Sequence, residues 1–138
     1  MVTGLDFSRP ALNFAQRLAA EMGLRASFVH GTIDEAPLVA PGPFDLVFAT
    51  WGALCWQPDL SSWAKVVASV LAPDGELYCA DAHPSFLAFP DRPMKFSDPT
   101  VMTHHSPGVS IHSLSAIIGA VIEAGLILTS FREHKVLP

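Results

Sequence analysis

Short apolar runs alternate along the chain with stretches whose apolar residues recur every three or four positions. Residues 2–7 (VTGLDF) open on a β-branched residue and reach Asp6 near their end, the pattern of a buried parallel strand. Ser8 is placed to cap a helix, and Pro10 suits its first turn, where no backbone donor is needed. Leu12, Ala15, Leu18, Ala19 and Met22 then share one helical face, and Gly23 supplies the stop. Residues 25–30 (RASFVH) predict a second strand, broken by Gly31. Residues 33–43 carry Pro37, Pro41 and Pro43 and predict a loop without regular structure. Residues 44–50 (FDLVFAT) form the clearest buried strand. A helix starts at Pro58-Asp59 and turns Leu60, Trp63, Val66, Val67, Val70 and Leu71 inward. Pro73-Asp74-Gly75 predicts a turn, and residues 76–81 (ELYCAD) a fourth strand.

From residue 83 to 109 the periodicity fails among prolines and scattered aromatics, which predicts one long irregular region, a kind of loop that in compact domains is usually functional or flexible. Ser113 caps a further helix through Ala124, with Leu114, Ile117, Ile118, Val121 and Ile122 inward and Gly125 at its end. Residues 126–133 predict a last strand. Strands alternating with amphipathic helices define an α/β domain with a mostly parallel sheet, and ligands of such sheets gather at the carboxyl ends of the strands.

Composition narrows the choice. Half of the 138 residues are hydrophobic and 15% are charged, so one domain with a packed core is expected. The net charge of −5, without a block of Lys or Arg, argues against a nucleic-acid partner. No apolar run is long enough to span a bilayer, and the opening residues do not read as a signal peptide, so no membrane partner is expected. Cys55 and Cys79 lack a metal-like spacing and read as reduced thiols of a cytoplasmic protein, packed as small hydrophobes.

The residues that follow each strand carry the candidate chemistry. Asp6 ends the first strand, where a carboxylate either accepts both hydroxyls of a ribose or serves as a turn or cap residue. Gly31-Thr32-Ile33 ends the second and offers backbone groups that could border an adenine ring. Thr50-Trp51-Gly52 ends the third, where the glycine permits close approach of a ligand. Asp81-Ala82-His83-Pro84 ends the fourth.

The runs VTGLDFS, FVHGTIDEAP, FDLVFATWGALCWQPDL and APDGELYCADAHP, in that order, resemble the second to fifth strands of bacterial class I S-adenosylmethionine-dependent methyltransferases. The later run IHSLSAIIGAVIEAGL resembles the following helix in one subgroup of small-molecule-type enzymes. The resemblance covers nearly the whole chain. It implies a Rossmann-like three-layer sandwich, residues 82–110 as a substrate-side loop, and methyl transfer from S-adenosylmethionine to a small molecule. It further implies that Asp6 binds the ribose hydroxyls and that Phe7, Gly31 and Ile33 border the adenine. Thr32 stands where the family usually has an aspartate that holds the adenine amino group, so its hydroxyl would act without charge assistance. Trp51 and Gly52 would line the methionine end and the methyl group.

Two departures accompany the resemblance. The family opens with a strand and a glycine-rich turn of the type D-x-G-x-G-x-G, ahead of what is Val2 here, whereas this sequence contains no G-x-G. That strand lies between those at 2–7 and 44–50. If it buries about five apolar side chains at roughly 1.5–3 kcal/mol each, its loss costs on the order of 10 kcal/mol, comparable with a whole domain's stability of about 5–15 kcal/mol. The chain also stops before the family's last antiparallel strand. The expectation is a partial methyltransferase domain over residues 1–138, either a fragment or one completed by a domain swap, a partner subunit or a homodimer that covers the exposed sheet edges.

Methyl transfer is an in-line displacement at a sulfonium carbon in which the protein chiefly positions donor and acceptor. His83 and His112 are the candidate general bases, with an ordinary loop histidine and helix-start histidine as the plain alternative. The adjacent His104 and His105 point apart in an extended chain and have no third ligand at a telling spacing, so no metal is expected. Trp51 and Trp56 are candidate pocket walls, Trp63 falls on the inward helix face, and Cys55 lacks an evident basic partner for a nucleophile's role. The rival functions are a non-catalytic remnant or partner subunit that does not bind the cofactor, and a nicotinamide-binding fold, which also places an acid after its second strand. The tryptophan-rich run after Thr50 and the HSL-led final helix favour the methyltransferase over the latter.

Overall fold

The computed structural model describes residues 1–84 and 110–134. Two parallel β-α-β units make up the fold. The first joins β1 (Val2–Asp6) through α1 (Arg9–Glu21) to β2 (Ala26–His30). The second joins β3 (Phe44–Thr50) through α3 (Leu60–Val70) to β4 (Leu71–Ala80). Between the units lie a 3-10 turn (Ile33–Glu35) and the one-turn helix α2 (Ala36–Val39), and α4 (Leu114–Glu123) packs against α3.

Each of the three longer helices begins where a polar side chain satisfies its open backbone donors. The Ser8 hydroxyl accepts from the Ala11 N–H at 3.4 Å, Asp59 accepts from Ser61 and Ser62 at 2.9 and 3.1 Å, and Ser113 accepts from Ala116 at 3.2 Å. The buried faces of α3 and α4 then meet in one cluster of Leu54, Leu60, Trp63, Ala64, Val67 and Ala120, with Val47, Ala49 and Leu77 of the second strand pair packed against it. Alternate residues of that pair point the other way into solvent, since Leu46, Phe48 and Tyr78 are all more than half exposed and the rings of Phe48 and Tyr78 stack on each other at 5.2 Å.

The parallel sheet is present as two separate pairs. β1 pairs only with β2 and β3 only with β4, so among the described residues β1 and β3 each keep one unpaired edge. This is the break expected where a strand between 2–7 and 44–50 is missing. With parallel pairs and alternating helices the chain is an incomplete Rossmann-like α/β fold.

Several local expectations are corrected. Residues 33–39 are helical rather than irregular, because Pro37 occupies the first turn of α2, where its missing N–H costs nothing, and residues 40–43 keep the expected loop. The turn at Pro73-Asp74-Gly75 forms, with Asp74 at φ 63°, but inside β4 rather than ahead of it. Leu71 already pairs with Phe44, and the ladder resumes at Leu46 with Glu76, so the turn interrupts the register within β4. Residues 126–133 form no strand despite their apolar residues. A strand needs a partner ladder, and among the described residues none pairs with them; Ile127 is 86% exposed. On α1, Leu12 and Ala19 are buried as expected, whereas Leu18 and Met22 remain exposed because α1 packs chiefly on β1 and β2 among the described residues. The irregular region assigned to 82–110 lies outside the described residues apart from its two ends.

Candidate functional site

The carboxyl ends of β1 and β2 are stitched together. Asp6 lies in register with His30, and the Gly31 N–H donates to the Asp6 carbonyl at 3.1 Å. The Asp6 carboxylate is half-buried, and its Oδ1 accepts from the Ser8 N–H at 2.7 Å, which sets the turn into α1. Among the described residues Oδ2 accepts no hydrogen bond, so the turn role leaves one oxygen for a ligand. Phe7 is more than half exposed beside it. Gly31 is buried, and a Cβ there would stand 3.2 Å from both Glu35 Oε2 and Val39 Cγ2, a fit tighter than side chains normally allow.

Thr32 is not free to face a ligand with all its polar groups. Its N–H and its hydroxyl both donate to Glu35 Oε2, at 2.8 and 3.2 Å. These bonds, the backbone one first, hold the exposed Glu35 carboxyl below its ordinary value of 4.5. Glu35, which holds the Thr32 turn, is missed by the sequence reading, although the T-x-x-E spacing of a helix start is there to be read. Ile33 packs against the Trp63 cluster. Asp6, Phe7, Gly31 and Thr32 therefore gather at one sheet end, while Ile33 contributes to the core beneath it.

The second pair ends in a wound loop. Trp51 adopts φ 49° and Gly52 φ 87°, a left-handed pair that glycine tolerates and tryptophan rarely adopts. Three bonds from the end of β4 and just beyond it hold the loop. The Trp51 N–H donates to the Ala80 carbonyl at 2.9 Å, and the Asp81 carboxylate accepts from Gly52 at 2.7 Å and from Leu54 at 3.1 Å. Trp51 and Trp56 are about half exposed, whereas Trp63 is 3% exposed, so the three tryptophans divide as their positions in the sequence suggest. Trp56 meets Phe7 edge to face, 5.9 Å between centroids at 70°, and so bridges the two strand pairs at their carboxyl ends.

Burial, and then the neighbouring Asp81 charge, raise the Cys55 thiol, which also donates to the Gly52 carbonyl at 3.1 Å; this is unsuited to a nucleophile. The same two causes push Cys79 up to about 11. His83 Nε2 lies 2.8 Å from Glu133 Oε1. His112 Nε2 is 2.6 Å from the Gln57 carbonyl, which can only accept, so that nitrogen carries the proton and Nδ1 is the basic one. His112 borders a small pocket with Leu54, Asp81, Pro84 and Ser110. Among the described residues no group of His, Cys, Asp and Glu could hold a metal, and His104 and His105 lie outside them. No described helix is long and apolar enough to cross a membrane.

Fold and strand-end geometry place the chain among α/β domains whose ligand site lies outside the carboxyl ends of parallel strands. Residues 1–75, more than half of the chain, match the family model described as a methyltransferase domain, and the chain belongs to that family. Two solved structures are similar in fold. A proposed sarcosine dimethylglycine methyltransferase from Galdieria sulphuraria is 18% identical with a TM-score of 0.68, over 93% of this chain and 46% of its own. The YcgJ protein from Bacillus subtilis is 24% identical with a TM-score of 0.54, over 62% of this chain and 39% of its own. The chain thus spans less than half the length of either. No curated protein matches it.

Proposed function

We propose that the chain takes part in methyl transfer from S-adenosylmethionine to a small-molecule acceptor, and that it supplies the nucleoside half of the cofactor site. The observation that carries this reading is the joining of Asp6 and Gly31 by the 3.1 Å backbone bond, which sets a half-buried carboxylate beside the β2 turn. These residues fit a nucleoside. Asp6 Oδ2 would accept from the ribose hydroxyls, Phe7 would lie against the adenine, and the Gly31–Thr32 turn, drawn tight against Glu35 and Val39, would border the ring. The Thr32 oxygen, already donating to Glu35, retains lone pairs for the adenine amino group. Trp51 and Gly52 would flank the methionine end across the gap between the strand pairs.

When bound, the cofactor supplies an activated methyl group on a sulfonium, so the chain's own work is to bind, orient and exclude water. His83 is the first choice to take a proton from the acceptor, because the Glu133 carboxylate 2.8 Å from its Nε2 orients the ring. His112 would act through Nδ1, since Nε2 is committed to Gln57.

The open edges of β1 and β3 favour a second reading, in which the chain is a non-catalytic remnant or a partner subunit, or completes its sheet edges in a homodimer. Calorimetric titration separates the readings. Heat with S-adenosylmethionine and none with NAD supports the first; heat with neither supports the second; heat with NAD alone overturns the methyl-transfer reading.

A further inference from the structure

We propose that Asp81 is a positioning residue that sets the aromatic wall of the strand-end cleft. The carboxylate stands immediately after β4, outside the groups assigned to nucleoside binding. Its Oδ1 accepts from the Gly52 N–H and from its own neighbour Ala82, each at 2.7 Å, and Oδ2 accepts from Leu54 at 3.1 Å. The span from Gly52 to Leu54 is where the backbone leaves β3, passes through the left-handed Trp51–Gly52 pair and enters the 3-10 turn Leu54–Trp56.

A tryptophan at positive φ is unfavourable, so this shape persists only if something outside the loop over-determines it. Asp81 does so by taking both amides that flank Ala53. With them fixed, the 3-10 turn presents Trp56 to Phe7, the aromatic contact that spans the two strand pairs. A neutral amide cannot replace the carboxylate. In D81N, a side chain that kept its oxygen where Oδ1 now lies would turn its NH₂ toward the Leu54 N–H, donor against donor. The influence of Asp81 on ligand affinity rests on the nucleoside reading above; its control of Trp56 does not.

The test uses the full chain and two kinds of measurement. In the wild type, hydrogen exchange should show the Gly52 and Leu54 amides protected. In D81N, the near-UV dichroism contributed by Trp56, defined by subtracting W56F, should be lost, and iodide quenching of Trp56 should rise, while far-UV dichroism stays unchanged. G52A, which forces a side chain into φ 87° without touching the carboxylate, should give the same signature, and the double variant should be no worse than the more affected single one. Binding of S-adenosylmethionine should weaken about tenfold in D81N. Retention of the Trp56 signal in a folded D81N, or fast exchange at Gly52 and Leu54 in the wild type, overturns the proposal; the exchange result decides even if D81N does not fold. Failure of the wild type to bind S-adenosylmethionine removes the cofactor reading and leaves the Trp56 measurements as the test of Asp81.

Discussion

Replacing Trp63 by alanine separates a core tryptophan from the two at the strand ends. Trp63 is 3% exposed and sits among Leu60, Ala64, Val67 and Ala120, where α3 meets α4. Truncating a buried Trp to Ala typically costs about 3–5 kcal/mol, because the lost transfer energy is joined by a cavity that its neighbours only partly fill. A domain holds only about 5–15 kcal/mol in all, and here the sheet that should support the cluster is split, so W63A should lose most of its cooperative unfolding transition. The controls lie in the same chain. Trp51 is about half exposed, and W51A, which keeps the Cβ and so the positive φ strain, should fall within about 0.5 kcal/mol of the wild type. W56A forfeits the edge contact with Phe7, worth about 0.5–1.5 kcal/mol. Urea unfolding followed by far-UV dichroism gives the three midpoints. If W63A were no less stable than W56A, the α3–α4 cluster would not be the core of this fold.

Other outcomes follow from single contacts. D59A removes the acceptor for two amides at the start of α3 and should cost about 1 kcal/mol in the same unfolding assay, with D59N closer to the wild type. Glu35 has a lowered pKa in the fold, so its contribution is present above the ordinary value of 4.5 and is lost as pH falls through the folded one. The Thr32 amide resonance should therefore titrate with a midpoint below 4.5, and E35Q should flatten that titration. Cys79 is an exposed residue, yet desolvation of its sulfur pushes the thiol up to about 11. Surface area reports access and the desolvation reports ionisation, so reaction with a thiol reagent should be slow near neutral pH and keep accelerating toward pH 11; a plateau before pH 9, the ordinary value, would refute the shift.

The parts of the fold that were legible in the sequence are those fixed by near neighbours. Ser8, Asp59 and Ser113 announce their helices because a cap acts within three residues, and FDLVFAT is a strand at the boundaries its composition implies. Pro37 misleads because proline density reads as irregularity, although one proline in a first turn is compatible with helix. The last strand misleads because an apolar run holds a strand only when a partner edge is beside it, and that is a property of the whole chain. At the site, the closeness of Asp6 to Gly31 follows from parallel pairing of β1 with β2. The role of Asp81 was illegible because its partners, Gly52 and Leu54, lie 29 and 27 residues earlier and are backbone amides that leave no mark on composition. Ile33 reads as a cleft residue because it follows a strand; the 3-10 turn at Ile33–Glu35 leaves it partly buried and packed against the Trp63 cluster, a contact that position in the sequence does not announce.

Amide resonances of the labelled chain, recorded as S-adenosylhomocysteine is added, interrogate the nucleoside cleft residue by residue. Saturable shifts should centre on Asp6, Phe7, Gly31 and Thr32, with α4 unmoved and with Asp6→Ala abolishing them. Shifts confined to other surfaces, or a spectrum that stays unchanged at ligand concentrations in the millimolar range typical of weak binding, would contradict a nucleoside site at the ends of β1 and β2.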